Sequence, residues 1–435
     1  MLKIAVFHNY IVKYGILLYI IDTSFRWEMN KLINMYQSDK AKDKKPVYFQ
    51  QPATIFPHLY TLENSKVKAV FTDAGAAVCG IYINKTGESF QNIALGFLSA
   101  GDYPGNPLHA GAVLGPAAGR IQEGRLPIRG TCFSLTRNDG GRHHLHGGEH
   151  GLSRLLWNTE ACQKTTDGGI LVFSVSLPDQ TDGYPGSRQF RAVYTLRGKI
   201  LSLCLTAVSD RDTFFNLSGH TYFNLNWACS KKASDGSPGA GASSLAGRLC
   251  PGGLLQRLTI PASRVAFNTK EHIPESIHCV DQTAFDFRQP ALVADMLKRH
   301  CGDPQLQWAK GYNHAFILDR PSPLPSCGCR ELSQAAILES EDGSIRLRLL
   351  TDAPCLVVYT GGFIDSSFPL SHACKGTGED SATCGLQLPD RTFPGCAIAL
   401  EAQDIPDAPN QNFFPVRFTE KGEIFSRLIE YRLEF

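Results

Sequence analysis

A chain of 435 residues with 43% hydrophobic content can bury a large core. Its net charge is only +2 and 19% of its residues are charged, so nothing in the charge balance calls for nucleic acid or an anionic membrane as a partner. The 40 glycines, 25 prolines and 10% aromatic content fit many short strands joined by turns.

The first segment, residues 4–21, is apolar but interrupted by His8, Asn9, Lys13 and Gly15. A membrane-spanning helix needs about 20 apolar residues with few charges. The stretch Thr23-Ser24-Phe25-Arg26 is a poor signal cleavage site. Residues 1–45 are therefore expected to be an extension outside the fold. Met29 and Met35 are natural alternative starts, and Ser38 to Lys45 reads as a polar tether. A single domain is expected over 46–435.

Within that domain the pattern is strand after strand. Lys66 to Phe71 alternates before a turn at Asp73-Ala-Gly75, and Ala77 to Asn84 resumes, which predicts a hairpin. Ile170 to Leu177 and Gln189 to Leu196 flank the turn Asp182-Gly-Tyr-Pro-Gly186, and Ile200 to Ser209 and Ser344 to Leu350 follow the same habit. The best helix is short, from Ala291 to about Arg299. Insertions are expected near 228–250 and 370–386, where Ser230 to Gly247 and His372 to Cys384 turn polar and glycine-rich. The fold class is therefore all-β, a large antiparallel β-sandwich with few short helices.

The fourteen cysteines are scattered. Cys327-Gly-Cys329 is the one close pair, and it is neither a CxxC redox motif nor half of a zinc ribbon. Small core thiols kept reduced in the cytoplasm explain them, and the sequons at Asn84 and Asn216 then carry no meaning. No GxGxxG, Walker, HExxH or GxSxG motif occurs, so no cofactor is expected.

Three windows carry titratable groups. In Asn138-Asp-Gly-Gly-Arg-His-His-Leu-His-Gly-Gly148, strand alternation puts His144 and His146 on one face and His143 on the other. Two histidines without a nearby carboxylate are a weak metal signal, and solvated turn histidines are an equal reading. In Ser218-Gly-His-Thr-Tyr-Phe-Asn-Leu225, His220 carries an imidazole, a group that ordinarily titrates near neutral pH, and Tyr222 shares its face. A packed core histidine is the plain alternative. In Ala399-Leu-Glu-Ala-Gln-Asp-Ile-Pro-Asp407, Glu401 ends an apolar run and shares a face with Gln403. Such a carboxylate is costly to bury unless it is functional, or else it faces water from an edge strand.

Together, in this order, the windows resemble the aldose 1-epimerase (galactose mutarotase) family. The likeness rests on Leu145-His-Gly-Gly148, on His220-Thr-Tyr-Phe-Asn-Leu225 and on Leu400-Glu-Ala-Gln403 with the Pro-Asp and Asn-rich stretch to Asn412. Gly183 to Gly186, Leu258 to Ala262, Phe285 to Arg288 and Tyr359-Thr-Gly361 add to it, from about residue 60 onward. The resemblance implies a large β-sandwich and an isomerase acting on a free aldose such as glucose or galactose. It implies His220 as acid, Glu401 as base, and no metal or cofactor. It also implies sugar contacts from Arg120 and His146, while Asn313 stands where the family's sugar-binding Asp stands. Tyr222 and Gln403 are candidate sugar contacts from their strand faces.

Three positions depart from the family pattern. Gly119 replaces an Asn, Asn313 replaces an Asp, and Val357 replaces a Gln. Each touches sugar recognition and leaves the acid–base pair intact. Two other readings compete. A hexose-phosphate mutarotase would use Arg125, Arg129 and Arg142, which lie near the site in sequence. A non-catalytic sugar-binding sandwich would keep the fold without the reaction. A glycoside hydrolase would usually need two carboxylates, and only one good one is found. The expected partner is a small-molecule aldose, with no nucleic acid and no membrane, in a monomer or homodimer.

Overall fold

The computed structural model describes residues 56–87, 89–97, 99–226, 252–319, 332–365 and 392–435. The expected extension over 1–45 and the two insertions lie outside the described residues. Among the described residues no helix is long and apolar enough to cross a membrane. The eight described cysteines are all free thiols.

The predicted hairpin forms from Val67–Thr72 and Ala77–Ile83, inside a four-stranded sheet. The main frame is two larger antiparallel sheets. One has nine strands, in the order Asn158–Thr165, Gly168–Leu177, Arg188–Arg197, Ile200–Ser209, Ile424–Glu434, Arg346–Thr351, Ser333–Glu339, Arg257–Thr259 and Ala291–Leu292. The other has six, in the order Tyr222–Phe223, Ile398–Gln403, Cys355–Tyr359, Asn313–Ile317, Arg264–Asn268 and Pro274–Cys279. Leu203, Leu205 and Leu347 of the first sheet share one buried cluster with Leu356, Val358 and Leu400 of the second. Phe223 and Tyr431 bridge the sheets with ring centroids 5.2 Å apart. Each such side chain, taken out of water, contributes about 1.5–3 kcal/mol, so this shared layer holds the sandwich together.

Two α-helices are described, Val293–Arg299 and Pro304–Ala309. The first starts later than the sequence predicts. Ala291 and Leu292 instead pair with Arg257 and Leu258 at the edge of the nine-stranded sheet. The second is not predicted, yet it has a local cause: the Asp303 carboxylate accepts from the Gln305 and Leu306 amides, and Pro304 occupies the first turn.

Strand alternation divides the six-stranded sheet between core and cavity. Leu400, Ala402, Leu356 and Val358 point into the shared core. Glu401, Gln403, Val357 and Tyr359, the residues between and beside them, line a cavity on the other face.

Candidate active site

That cavity has a volume of about 460 Å³, within the usual range for a small-molecule site. His220, Glu401, Arg120, His146, Tyr222, Asn313 and Gln403 all line it. Strand register brings the sheet-borne members together. Glu401 stands opposite Val357, which stands opposite Ala315. In the next row Tyr222 faces Ala399, Ala399 faces Tyr359, and Tyr359 faces Asn313. Arg120 pairs with Leu145 on a short ribbon, so the residue after Leu145, His146, enters from the same wall.

Glu401 is 3% exposed, in a strand with neighbours on both sides, so it is not an edge residue facing water. His220 is 4% exposed and held by its backbone: its N–H donates to the Ala112 carbonyl at 2.9 Å, and its carbonyl accepts from Gly111 N–H at 3.0 Å. His220 Nε2 lies 3.5 Å from Glu401 Oε1. Gln403 Nε2 donates to the other carboxylate oxygen at 3.1 Å. The orientation of that amide is set from behind, because Gln403 Oε1 accepts from Asn216 Nδ2 at 3.1 Å. Asn216 is 1% exposed, and its own Oδ1 accepts from the Asp404 amide at 2.8 Å.

Burial opposes charge on both members of the pair. It pushes the Glu401 carboxyl up to about 8, against smaller downward pulls from Arg120 and Gln403. It pushes the His220 imidazole down to about 4. The pair therefore holds one proton across the interval between these values. Arg120 pairs with Asp139, with Nε 2.7 Å from Oδ2.

Of the three histidines at 143, 144 and 146, only His146 reaches the cavity. The alternation expected of this window fails because the strand there is two residues long, His144–Leu145, and turns left-handed at His146 (φ 50°). His144 is fully buried: its Nδ1 donates to the Thr136 carbonyl at 2.7 Å and its Nε2 accepts from the Tyr184 hydroxyl at 2.8 Å. The Nδ1 of His143 accepts from Glu123 N–H at 3.1 Å.

His146, His220 and Glu401 carry ligand-type atoms within 4.8 Å of one another, a spacing that would suit a metal ion. The hydrogen bonding of His146 argues against one. Its Nδ1 accepts from Gly119 N–H at 3.2 Å, so the imidazole proton sits on Nε2. One nitrogen is occupied and the other is a donor, which suits a hydroxyl oxygen and not a cation.

Gly119 has φ 75°, and a Cβ there would lie 2.8 Å from both Cβ and Cγ of Pro406. Close approach of that proline requires the glycine. Asn313 and Val357 both line the cavity. Sequence reasoning missed His109, Asn268, His272 and Phe363, which line it as well. His109 and His272 share with His146 a left-handed backbone, at φ 50° and 62°. Of the arginines considered for a phosphate, none lines the cavity. Arg129 pairs with Asp212 at 2.8 Å and Glu420 at 2.6 Å, and Arg142 pairs with Glu271 at 2.6 Å.

A profile of the aldose 1-epimerase family matches residues 58–237 and 250–432. The chain is 30% identical to an aldose 1-epimerase of Haemophilus influenzae over 357 residues, covering 81% of this chain and 88% of that protein. It is 27% identical to the galactose mutarotase of Mus musculus over 368 residues, covering 84% and 91%. Among solved structures, an aldose epimerase homologue from C. elegans superposes with a TM-score of 0.68 at 21% identity, covering 87% of this chain and 99% of that one. A galactose 1-epimerase from Lactobacillus acidophilus gives 0.67 at 24% identity, covering 89% and 97%.

Proposed function

This chain belongs to the aldose 1-epimerase family of isomerases, and we propose that its cavity interconverts the α and β anomers of a free aldose, with Glu401 as base and His220 as acid. The observation that carries the reading is the buried contact of 3.5 Å between the two groups, on the wall of a cavity lined by hydrogen-bonding side chains.

Mutarotation removes the proton from the anomeric hydroxyl O1 and delivers one to the ring oxygen O5. The ring opens to the aldehyde, the C1–C2 bond rotates, and the ring closes on the other face. The reactive form of the pair is carboxylate plus imidazolium. Moving the shared proton from Glu401 to His220 against the gap between about 8 and about 4 costs about 5 kcal/mol. Attraction between the two charges formed 3.5 Å apart offsets roughly 5 kcal/mol at an effective dielectric near 20. The two forms are thus closely matched, and a hydrogen bond from the sugar to the carboxylate tips the pair toward the charged form. Glu401 then takes the O1 proton as His220 gives its proton to O5, and the roles reverse on closure. General acid–base assistance of this kind supplies about 10²–10⁴-fold. Alignment of the sugar by Arg120, His146, Tyr222, Asn313 and Gln403 adds to it.

A free sugar is favoured over a hexose phosphate because Arg129 and Arg142 are held by carboxylates away from the cavity. Polarimetry on freshly dissolved α-glucose and α-galactose tests the reading. The protein should speed the decay, and His220→Asn and Glu401→Gln should each remove at least a hundredfold of the acceleration. Full activity in either variant would overturn the role assignment, and sugar binding without acceleration would favour a binding protein. Competition by a hexose 6-phosphate at concentrations where the free hexose does not compete would favour the phosphate reading.

A further inference from the structure

His109 belongs to no motif of the sequence, yet it stands in the cavity wall beside the reacting groups. Its ring centroid is 4.9 Å from that of His146 and 6.2 Å from that of His220, so three imidazoles converge on one side of the cavity. It is 8% exposed and held at φ 50°, a conformation that non-glycine residues rarely keep without support. The support is Ser153, 2% exposed, whose Oγ lies 2.8 Å from His109 Nδ1.

The other ring nitrogen is left open. Nε2 has no hydrogen-bond partner among the described residues. It is not sealed off by its neighbours, and His109 lines the cavity, so the cavity reaches it. Buried polar groups are satisfied by protein, water or ligand, and one aimed into a substrate cavity from a constrained backbone is placed for a ligand. Burial and the neighbouring His220 and Arg154 push its pKa down to about 3, so the ring is neutral at ordinary pH.

Ser153 decides what a neutral ring can offer. A hydroxyl both donates and accepts and rotates to suit. When Ser153 donates to Nδ1, Nε2 carries the proton and donates to the cavity. When Nδ1 donates to Ser153, Nε2 accepts. His146 has no such freedom, since Gly119 N–H fixes its Nε2 as a donor.

We propose that His109 is a specificity-determining residue that hydrogen-bonds, through Nε2, a hydroxyl of the aldose other than the anomeric one. This rests on the cavity being the aldose site. Because the Ser153 hydroxyl can reverse, the contact serves a sugar hydroxyl in either role.

The test pairs His109→Phe with a monodeoxy series. Wild type and variant are compared on glucose and on its 2-, 3-, 4- and 6-deoxy forms, by mutarotation rate and by calorimetric binding. The variant should lose roughly 3- to 10-fold in kcat/KM on glucose, expressed in KM. For one deoxy sugar, the one lacking the contacted hydroxyl, the loss should vanish. An equal loss on every sugar, or no loss on any, overturns the proposal. Where His109→Phe does not fold, His109→Asn replaces it, since Asn tolerates left-handed backbone. If the wild type speeds no sugar's mutarotation, the proposed function fails, and the calorimetric series still reads the contact separately.

Discussion

Restoring the family's asparagine at position 119 should damage this protein. In Gly119→Asn the new Cβ lies 2.8 Å from two carbons of Pro406, where carbon atoms prefer about 3.5–4.0 Å. The proline cannot retreat easily. Asp404 is tied to Asn216 at 2.8 Å and to Arg427 at 2.7 Å, and Asp407 accepts from the Gln122 amide at 2.9 Å. Overpacking of this kind costs about 1–3 kcal/mol, and the left-handed backbone adds little to that for Asn, which tolerates it better than other residues with a Cβ. The expected loss is therefore about 1–3 kcal/mol, or a fall in Tm of roughly 1–4 °C for a unit of this size. Urea denaturation and a thermal scan measure the loss, and polarimetry should show a raised KM as the Gly119 N–H moves off His146. Gly119→Ala separates causes, because it carries the same Cβ without the amide and should cost at least as much. If Gly119→Asn unfolds at the wild-type midpoint and gains activity, the steric reasoning is wrong.

Three further predictions concern the proton shared by His220 and Glu401. The profile of kcat/KM against pH should be bell-shaped, with limbs near 4 and 8. Below the lower limb a second proton leaves no base, and above the upper limb the loss of the only proton leaves no acid; a profile flat from pH 5 to 10 contradicts the pairing. The folded protein also holds the Glu401 proton to about 8, whereas the unfolded chain releases it at the ordinary value near 4.5. Its contribution to stability is therefore full below about 4.5 and is lost as pH rises toward 8, which should appear in Glu401→Gln as a weaker fall of the urea midpoint over that window. Asn216→Asp should reverse the Gln403 amide, because a carboxylate at 216 accepts where Asn216 Nδ2 donates. Gln403 would then offer Oε1 to Glu401, favour its protonated form, and move the alkaline limb up by about one pH unit; an unmoved limb in a folded variant means that Asn216 does not orient the amide.

Much of the frame was legible because sheets announce themselves by alternation. Ile200–Ser209 forms over the residues expected of it, and Gly168–Leu177 and Arg188–Arg197 differ from expectation by a residue or two at their ends. Alternation also explains why Glu401 and Gln403 arrive on one face while Leu400 and Ala402 enter the core. It fails where the chain leaves extended backbone. His109, His146 and His272 hang from left-handed residues, whose side-chain directions no period encodes. Alternation groups His144 with His146, and a single left-handed residue sends the two rings to different places. The contribution of Asn216 was hidden differently: its hydrogen bonds reach Ala118, Gln403 and Asp404, all remote in sequence.

The strand Ile424–Glu434 lies in the middle of the nine-stranded sheet, between Ile200–Ser209 and Arg346–Thr351. During synthesis both of those neighbours emerge before it and must wait with one edge unpaired. Exposed edges invite association with other chains, and pairings between remote segments form slowly. The nascent protein therefore passes through a stage in which most of its strands exist but the sheet is open at its centre. Removal of residues 424–434 would hold it at that stage, with soluble yield on expression as the quantity most affected.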